Sequence, residues 1–255
     1  MLNCSASKIA DNNKPGVYRL EHDNTLYWVK VAGENKSNWV RKISGKIAQF
    51  NAFSFFQTNA IQSPYARFTN EKDILQKLSQ FDLPVAKIVA SDERYFVTEN
   101  AGSTTLRRLS ADLITQTLII KVFTSYAYLH QHNVAHGRPA LRDIMIHHDN
   151  EGEHVTLIDF EESIKDANTQ LIARDMFLLL MDMGRLSLIT TEQKLDALQV
   201  WKTLVDDEIW KTLVKMTTTF TKLTFLAKLV LLIKPKNSTS IHILEAVEVL
   251  KKATQ

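Results

Sequence analysis

An α+β fold in two lobes, a small β-rich N-terminal lobe and a mainly helical C-terminal one, is what this sequence predicts. Three observations carry that expectation. Short β-branched and aromatic runs crowd the first hundred residues, apolar positions at helical spacing fill nearly everything after Thr169, and the character of the chain changes over residues 99–105. With 255 residues, 45% apolar and 23% charged, the chain has the composition of one large packed domain or two lobes. Those values exclude a disordered chain, a collagen-like chain and a disulfide scaffold. The single cysteine, Cys4, forms no internal disulfide and no zinc site of the multi-cysteine kind, and it permits a reducing compartment.

The elements follow in order. Residues 17–20 and 26–31 are short strand-forming runs, and His22-Asp-Asn24 between them is a turn signal, so the pair reads as a hairpin. Residues 38–56 are helix-permissive with an interruption at Gly45. Residues 69–78 have a polar start and leucines at helical spacing, which predicts a helix. Residues 85–90 and 95–98 read as strands around Ser91-Asp-Glu-Arg94. Residues 113–130 are apolar at helical period. Residues 144–146 and 155–158 flank Asp149-Asn-Glu-Gly152 and predict a second hairpin. From Thr169 onward the pattern is helical, with a break at Pro235, and the chain contains no internal repeat. The lobes are expected at 1–100, with a basic and aromatic insertion over 35–68, and at 101–255.

Net charge is +3 and the pI about 8.8, too little by itself to imply nucleic acid. The distribution is more informative. No acid occurs from Asn35 to Asn70, where Lys36, Arg41, Lys42, Lys46 and Arg67 mix with Trp39, Phe50, Phe53, Phe55, Phe56, Tyr65 and Phe68. Cations and aromatics without acids suit an anionic membrane surface, here through residues 36–67. The plain alternative is an ordinary insertion packed on the small lobe, and nucleic acid is placed last. A second stretch without acids, 211–236, carries six lysines. Its helical part, 216–233, is expected to pack in the core with the lysines turned outward. The apolar run 223–233 contains Lys228 and is far shorter than the ~20 residues a bilayer requires. The expected location is cytoplasmic, either soluble or peripheral on the inner membrane.

Residues 129–163 carry the chemistry. Asp159 follows the apolar run Val155-Thr-Leu-Ile158 and precedes Phe160, so a buried carboxylate there needs a partner. Asp143 lies sixteen residues earlier, on the loop that feeds the second hairpin. Two acids reached from the two ends of one hairpin suit a divalent cation beside a phosphate, and hence phosphoryl transfer, in which catalysis is positioning and charge neutralisation. Taken alone, Lys30 is an ordinary strand lysine and Glu71 an ordinary first-turn acid. Glu161 and Glu162 read as solvated or structural, with a metal contact open to either. Six histidines fall between 130 and 154, but no known zinc spacing joins them, and His136 reads as a hydrogen-bonded architectural residue.

At these residues the chain resembles the protein-kinase-like superfamily, in particular the bacterial lipopolysaccharide core (Kdo and heptose) kinases and their RIO-type relatives. His136 matches the histidine of the family's His-x-Asp loop, Asp143 stands where a metal-binding asparagine is expected, and Asp159 matches the metal-binding aspartate of the triplet, read here as Asp-Phe-Glu. Upstream, Lys30 sits where the strand lysine contacts nucleotide phosphates and Glu71 where its ion-pair partner is expected. Residues 96–102, with Glu99 and Gly102, resemble the hinge whose backbone bonds adenine. Downstream, Arg174-Asp175 matches an aspartate that braces the catalytic loop from a helix. The likeness runs over residues 14–185. The chain departs from the pattern at Arg138, where the catalytic aspartate should stand, and in the loop before the first strand, which keeps only Gly16.

The resemblance implies a two-lobed protein-kinase-like fold that uses ATP and Mg2+ to phosphorylate a hydroxyl, with a lipid-linked sugar or lipopolysaccharide core as the acceptor. In that reading Asp143 orients the acceptor, Arg138 neutralises the transferring phosphoryl group, and His136 supports the loop. Two alternatives stand beside it: a membrane-associated pseudokinase that binds nucleotide without transfer, and an atypical protein kinase.

Overall fold

Asp23 and Asn24 both sit at positive φ, 48° and 58°, in the computed structural model, which describes residues 2–33, 63–150 and 152–254. Two such residues in succession make a turn whose twist matches that of a hairpin. It joins strand β1 (Gly16–His22) to β2 (Thr25–Val31), paired from Gly16↔Val31 to His22↔Thr25. The chain divides into two compact units: Met1–Gly102 with Thr156–Ser163, and Ser103–Val155 with Ile164–Gln255. The segment Thr156–Ser163 therefore belongs with the N-terminal unit, whereas the sequence places it in the C-terminal lobe. Most of the expected insertion lies outside the described residues, including Lys36, Arg41, Lys42, Lys46, Trp39 and Phe50 to Phe56.

In the first unit, β1, β2, β3 (Ile88–Ser91) and β4 (Tyr95–Glu99) form one antiparallel sheet in the order β1-β2-β4-β3. Helix α1 (Leu2–Asn12), which the sequence reading missed, covers it: Ala6, Leu20, Val29, Val31, Tyr95 and Val97 form one buried cluster, with Leu2 and Ile9 packed against it. Burying a valine of this kind contributes about 1.5–3 kcal/mol. Helix α2 (Pro64–Leu78) starts five residues before the expected Thr69. Ser63 caps it by accepting from the Ala66 amide at 3.1 Å, and Pro64 opens the first turn, where its missing N–H costs nothing. The expected strand over 85–90 is shortened. Pro84 and Val85 pair instead with Leu157, whose amide donates to the Pro84 carbonyl at 2.8 Å.

Strands β5 (Thr104–Thr105) and β6 (Ile144–Asp149) of the second unit and β7 (Gly152–Leu157), whose last two residues fall in the first unit, are ordered β5-β6-β7, which gives the expected second hairpin. Helix α3 (Gln116–Gln131) buries Leu118, Ile119, Val122, Phe123, Tyr126 and His130 at helical spacing. Residues Ala111–Leu113 form a separate 3-10 turn, so the helix starts later than the predicted 113. Helices α4 (Thr169–Met183), α5 (Thr191–Leu204), α6 (Asp207–Ile233) and α7 (Ser238–Ala253) complete the unit, each with a side-chain N-cap. The break at Pro235 separates α6 from α7.

The C-terminal half of α6 corrects the expectation of core packing. Phe225, Leu226, Leu229, Val230, Leu232 and Ile233 are exposed, the last two at 80% and 76%. Earlier in the same helix Ile209 and Leu213 are buried, and Phe220 lies 4.5 Å from the Phe177 ring. No single helix among the described residues is long and apolar enough to cross a membrane. The stretches Asp207–Lys222 and Thr224–Ile233, bent by 43°, satisfy length and composition only together.

Candidate functional site

Strand alternation positions Lys30. Val29 and Val31 face the core beneath α1, so Lys30 between them points to the other face of the sheet. Helix α2 buries Phe68, Glu71, Ile74, Leu75 and Leu78, so Glu71 is an acid inside an apolar stripe. A carboxylate there must be partnered, and Lys30 supplies the partner: its Nζ bonds Glu71 Oε2 and lies 2.8 Å from Glu161 Oε1. The other Glu161 oxygen meets Arg67 Nη1 at 2.9 Å.

The segment that carries Asp159 is fastened to the same helix. The Phe160 amide donates to Glu71 Oε1 at 3.3 Å, and Asn70 Nδ2 donates to the Ser163 carbonyl at 2.9 Å. Phe160 is fully buried, and Asp159 is held at a φ of 64°, a left-handed conformation that costs a non-glycine residue about 1–2 kcal/mol. Strain of this kind concentrates at functional positions. Oxygens of Glu71, Asp159 and Glu161 all lie within 4.8 Å of one another. Three carboxylates against the cations of Lys30 and Arg67 leave an excess of negative charge. Burial pushes the Glu71 carboxyl up; Lys30 opposes this without reversing it, and Asp159 and Glu161 add to the rise. Burial pulls the Lys30 ammonium down, but Glu71 and Glu161 outweigh it and hold Lys30 above its ordinary value. An all-oxygen donor set with surplus negative charge suits a hard divalent cation such as Mg2+.

The second unit holds the loop 136–143. Asp175, fully buried on α4, accepts the His136 amide at 2.7 Å and the Gly137 amide at 2.8 Å. His130 Nε2 is 3.2 Å from the same carboxylate, and Trp201 Nε1 donates to His130 Nδ1 at 3.0 Å. An indole N–H only donates, so His130 Nδ1 accepts and the imidazole proton sits on Nε2, facing Asp175. Burial pushes the Asp175 carboxyl up, yet the donors from His130 and His136 more than reverse this and leave it below its ordinary value. Arg174 Nη1 donates to the Gly137 carbonyl at 3.1 Å, and Asp182 accepts the Leu141 amide at 2.8 Å. The loop is thus pinned to α4 at three points. His136 is buried within it, Arg138 is exposed, and Asp143 is buried at the end of the 3-10 turn Leu141–Asp143, with Arg142 Nε 3.3 Å from its carboxylate.

The structure thus brings Lys30, Glu71 and Asp159 together in the first unit and places His136, Arg138 and Asp143 on one braced loop in the second. Glu99 is exposed at the end of β4, and its amide is spent on the Lys87 carbonyl at 3.0 Å, so it does not donate to a base; Gly102 is buried. Glu161, read from the sequence as solvated or structural with a metal contact open to it, pairs with Lys30 and Arg67. Glu161 and Arg67 are the residues the sequence reading did not place, because pairs 131 and 94 positions apart leave no local signal. Among the described residues, the side chains grouped closely enough to hold a metal are Glu71, Asp159 and Glu161, with no histidine among them.

No family model matches the chain. An uncharacterized protein of Haemophilus influenzae is 28% identical over 167 residues, an alignment that covers 63% of this chain and 59% of that protein. The chain therefore spans less than two thirds of this relative's length. Among solved structures, the Rio2 kinase of Chaetomium thermophilum, in a complex with ADP, Mg2+ and phosphoaspartate, matches with a TM-score of 0.51. The match covers 83% of this chain and 72% of that one at 13% identity. A second structure of the same kinase has a TM-score of 0.49 at 14% identity, covering 83% of this chain and 74% of that one. At such identity the likeness is one of fold. The chain has a protein-kinase-like α+β fold, with a small antiparallel sheet in one unit and a mainly helical remainder.

Proposed function

We propose that the protein is an ATP- and Mg2+-dependent phosphotransferase acting on a hydroxyl, with a sugar of the lipopolysaccharide core as its acceptor. The observation that carries the phosphotransferase reading is the Lys30–Glu71 ion pair beside the Asp159 carboxylate, built on a kinase-like fold. Lys30 has three N–H donors, so it can hold Glu71 and Glu161 and still reach a phosphate oxygen. Glu71 fixes Lys30, and Asp159 and Glu161 are the residues that would hold the metal. When bound, Mg2+ supplies neutralisation of charge on the phosphates. In the transfer, the bond from the γ-phosphorus to the ADP oxygen breaks, a bond to the acceptor oxygen forms, and the hydroxyl proton is released. Asp175 braces the loop 136–143 within its own unit, and the resemblance in sequence assigns Arg138 to the transferring group and Asp143 to the metal. The choice of a lipopolysaccharide sugar is supported by the resemblance in sequence alone.

A pseudokinase is the second reading, favoured by the exposed Arg138 at the position of the expected catalytic base. Thermal-shift titration with ATP, with and without Mg2+, tests the shared part of both. A Mg2+-dependent rise in Tm that disappears in Asp159→Ala is expected; no shift in either condition overturns both. Transfer of γ-phosphate to a core-lipid extract, absent in Lys30→Met, separates the enzyme from the pseudokinase.

A further inference from the structure

The end of α6 leaves a large apolar surface uncovered. Phe225, Leu226, Leu229, Val230, Leu232 and Ile233 are all exposed there, and Pro235, without an N–H, follows the last turn. Apolar residues exposed singly are ordinary, but six gathered at the end of one helix form the kind of patch that marks an interaction surface.

The charge around the patch has one sign. Lys222, Lys228, Lys234 and Lys236 are exposed beside it, and no Asp or Glu occurs from Ile209 to Leu244. The acids of α6 itself, Asp207 and Glu208, lie in its first turn, at the far end of the helix. Those on the helices packed against α6 are occupied. Asp175 and Asp182 of α4 hold the loop 136–143, while on α7 Glu245 lies 3.4 Å from His242 and Glu248 pairs with Lys252 at 3.1 Å.

Three occupants compete for such a patch: a second copy of the chain, a protein partner and a membrane. A second copy would set the same four lysines against one another with no acid to meet them. A protein partner would have to match a projection, since Leu232 and Ile233 stand 80% and 76% exposed, with both a groove and a ring of acids. Fluid acyl chains close around any convex apolar shape, and anionic headgroups supply the counter-charge while lysine stems run along the apolar surface. Thr224–Ile233 is about 15 Å long, half the ~30 Å of a bilayer's hydrocarbon core, so it lies in one face of a membrane without crossing it.

We propose that the end of α6 docks the protein on an anionic membrane surface, with Phe225, Leu229, Leu232 and Ile233 dipping among the acyl chains and the four lysines at the level of the headgroups. The proposal is independent of the phosphotransferase reading, and it stands or falls whether or not the protein binds ATP.

Co-sedimentation of the full chain with vesicles tests it. Vesicles of phosphatidylcholine and phosphatidylglycerol in equal parts should bind, phosphatidylcholine alone should bind far less, and added salt should weaken the binding. Replacing Lys222, Lys228, Lys234 and Lys236 together with glutamine should weaken it at least about a hundredfold, from roughly fivefold per lysine. Leu229→Ser and Leu232→Ser should each weaken it about tenfold, and circular dichroism verifies that every variant is folded. The fluorescence that Phe225→Trp adds over the parent should shift to the blue on vesicles and be quenched by brominated acyl chains. No binding to the anionic vesicles overturns the proposal, as does binding that the leucine variants leave unchanged, which would be charge attraction alone. Binding that is lost on replacing Lys36, Arg41, Lys42 and Lys46 but survives the α6 variants overturns it too. So does a dimer in sedimentation equilibrium that Leu232→Ser converts to monomer, because the patch would then belong to a second copy.

Discussion

Replacing Asp175 with asparagine probes the brace beneath the loop 136–143. The carboxylate accepts three hydrogen bonds in a site closed to solvent: from His130 Nε2 at 3.2 Å and from the amides of His136 and Gly137 at 2.7 and 2.8 Å. An asparagine offers one oxygen. One of the three donors must then face an NH2 group, and the other two meet a neutral acceptor. Hydrogen bonds to a charged group contribute about 1.5–3 kcal/mol and neutral ones about 0.5–1.5. With relief from no longer burying a charge, the expected loss is about 3 kcal/mol. His130 cannot compensate by moving its proton to Nδ1, because the Trp201 indole N–H already points there. The assay is denaturant unfolding followed by tryptophan fluorescence, in which Trp201 itself reports on the site. The pH dependence adds a second readout. The folded carboxyl titrates below its ordinary value of 3.8, so the stability it contributes is complete above that value and is lost as pH falls through the lowered one. The difference between parent and variant should therefore shrink in acid. A loss under about 1 kcal/mol at neutral pH, or a difference that persists unchanged in acid, would refute the reasoning.

Lys30→Met should destabilise the first unit by about 3–5 kcal/mol, because it strands Glu71, and the double variant with Glu71→Leu should recover much of that loss; a double-mutant cycle from denaturant melts measures it. The same lysine is held above its ordinary 10.5, so its contribution is complete below that pH and lost as pH rises through the raised value; the alkaline limb of stability should be flatter in Lys30→Met. Trp201→Phe leaves His130 Nδ1 as a buried acceptor without its donor and should cost about 1–3 kcal/mol in the same melts. Leu232→Lys, at an exposed site, should change stability by less than about 0.5 kcal/mol while reducing binding of a hydrophobic dye. An equal fall in stability and dye binding would mean that this end of α6 is packed after all.

Local chemistry was readable wherever it is sufficient by itself. The pair Asp23-Asn24 signalled the first turn, Asp149-Asn-Glu-Gly152 the second, and the leucines of 69–78 the body of α2. The start of α2 was written in the sequence too, as Ser63-Pro64, but the aromatic and basic run around it drew the reading toward an insertion. Helix α1 escaped because Leu2, Ala6, Ile9 and Ala10 form a thin stripe among polar residues, and only the sheet beneath makes it worth burying. The order of Lys30, Glu71 and Asp159 along the chain pointed to the first-unit cluster, since that pattern survives without coordinates. What joins them did not. Glu161 reaches Lys30, and Trp201 reaches His130 across 71 positions, through folding alone. The exposed end of α6 misled for the opposite reason: Leu226, Leu229, Val230, Leu232 and Ile233 occur around the whole helix, and such a run looks like core in any window.

The return of Thr156–Ser163 to the first unit has a practical corollary for anyone who would cut this protein in two. Nicking the backbone after Gly102 yields fragments that do not correspond to the two units. The later piece would carry away Phe160 and Ser163, while Glu71 and Asn70, which hold their backbone, stay with the earlier one. Leu157 would likewise leave behind its pairing with Pro84. Cleaved halves should therefore cling together in native solution, and neither, expressed by itself, would inherit a complete interior.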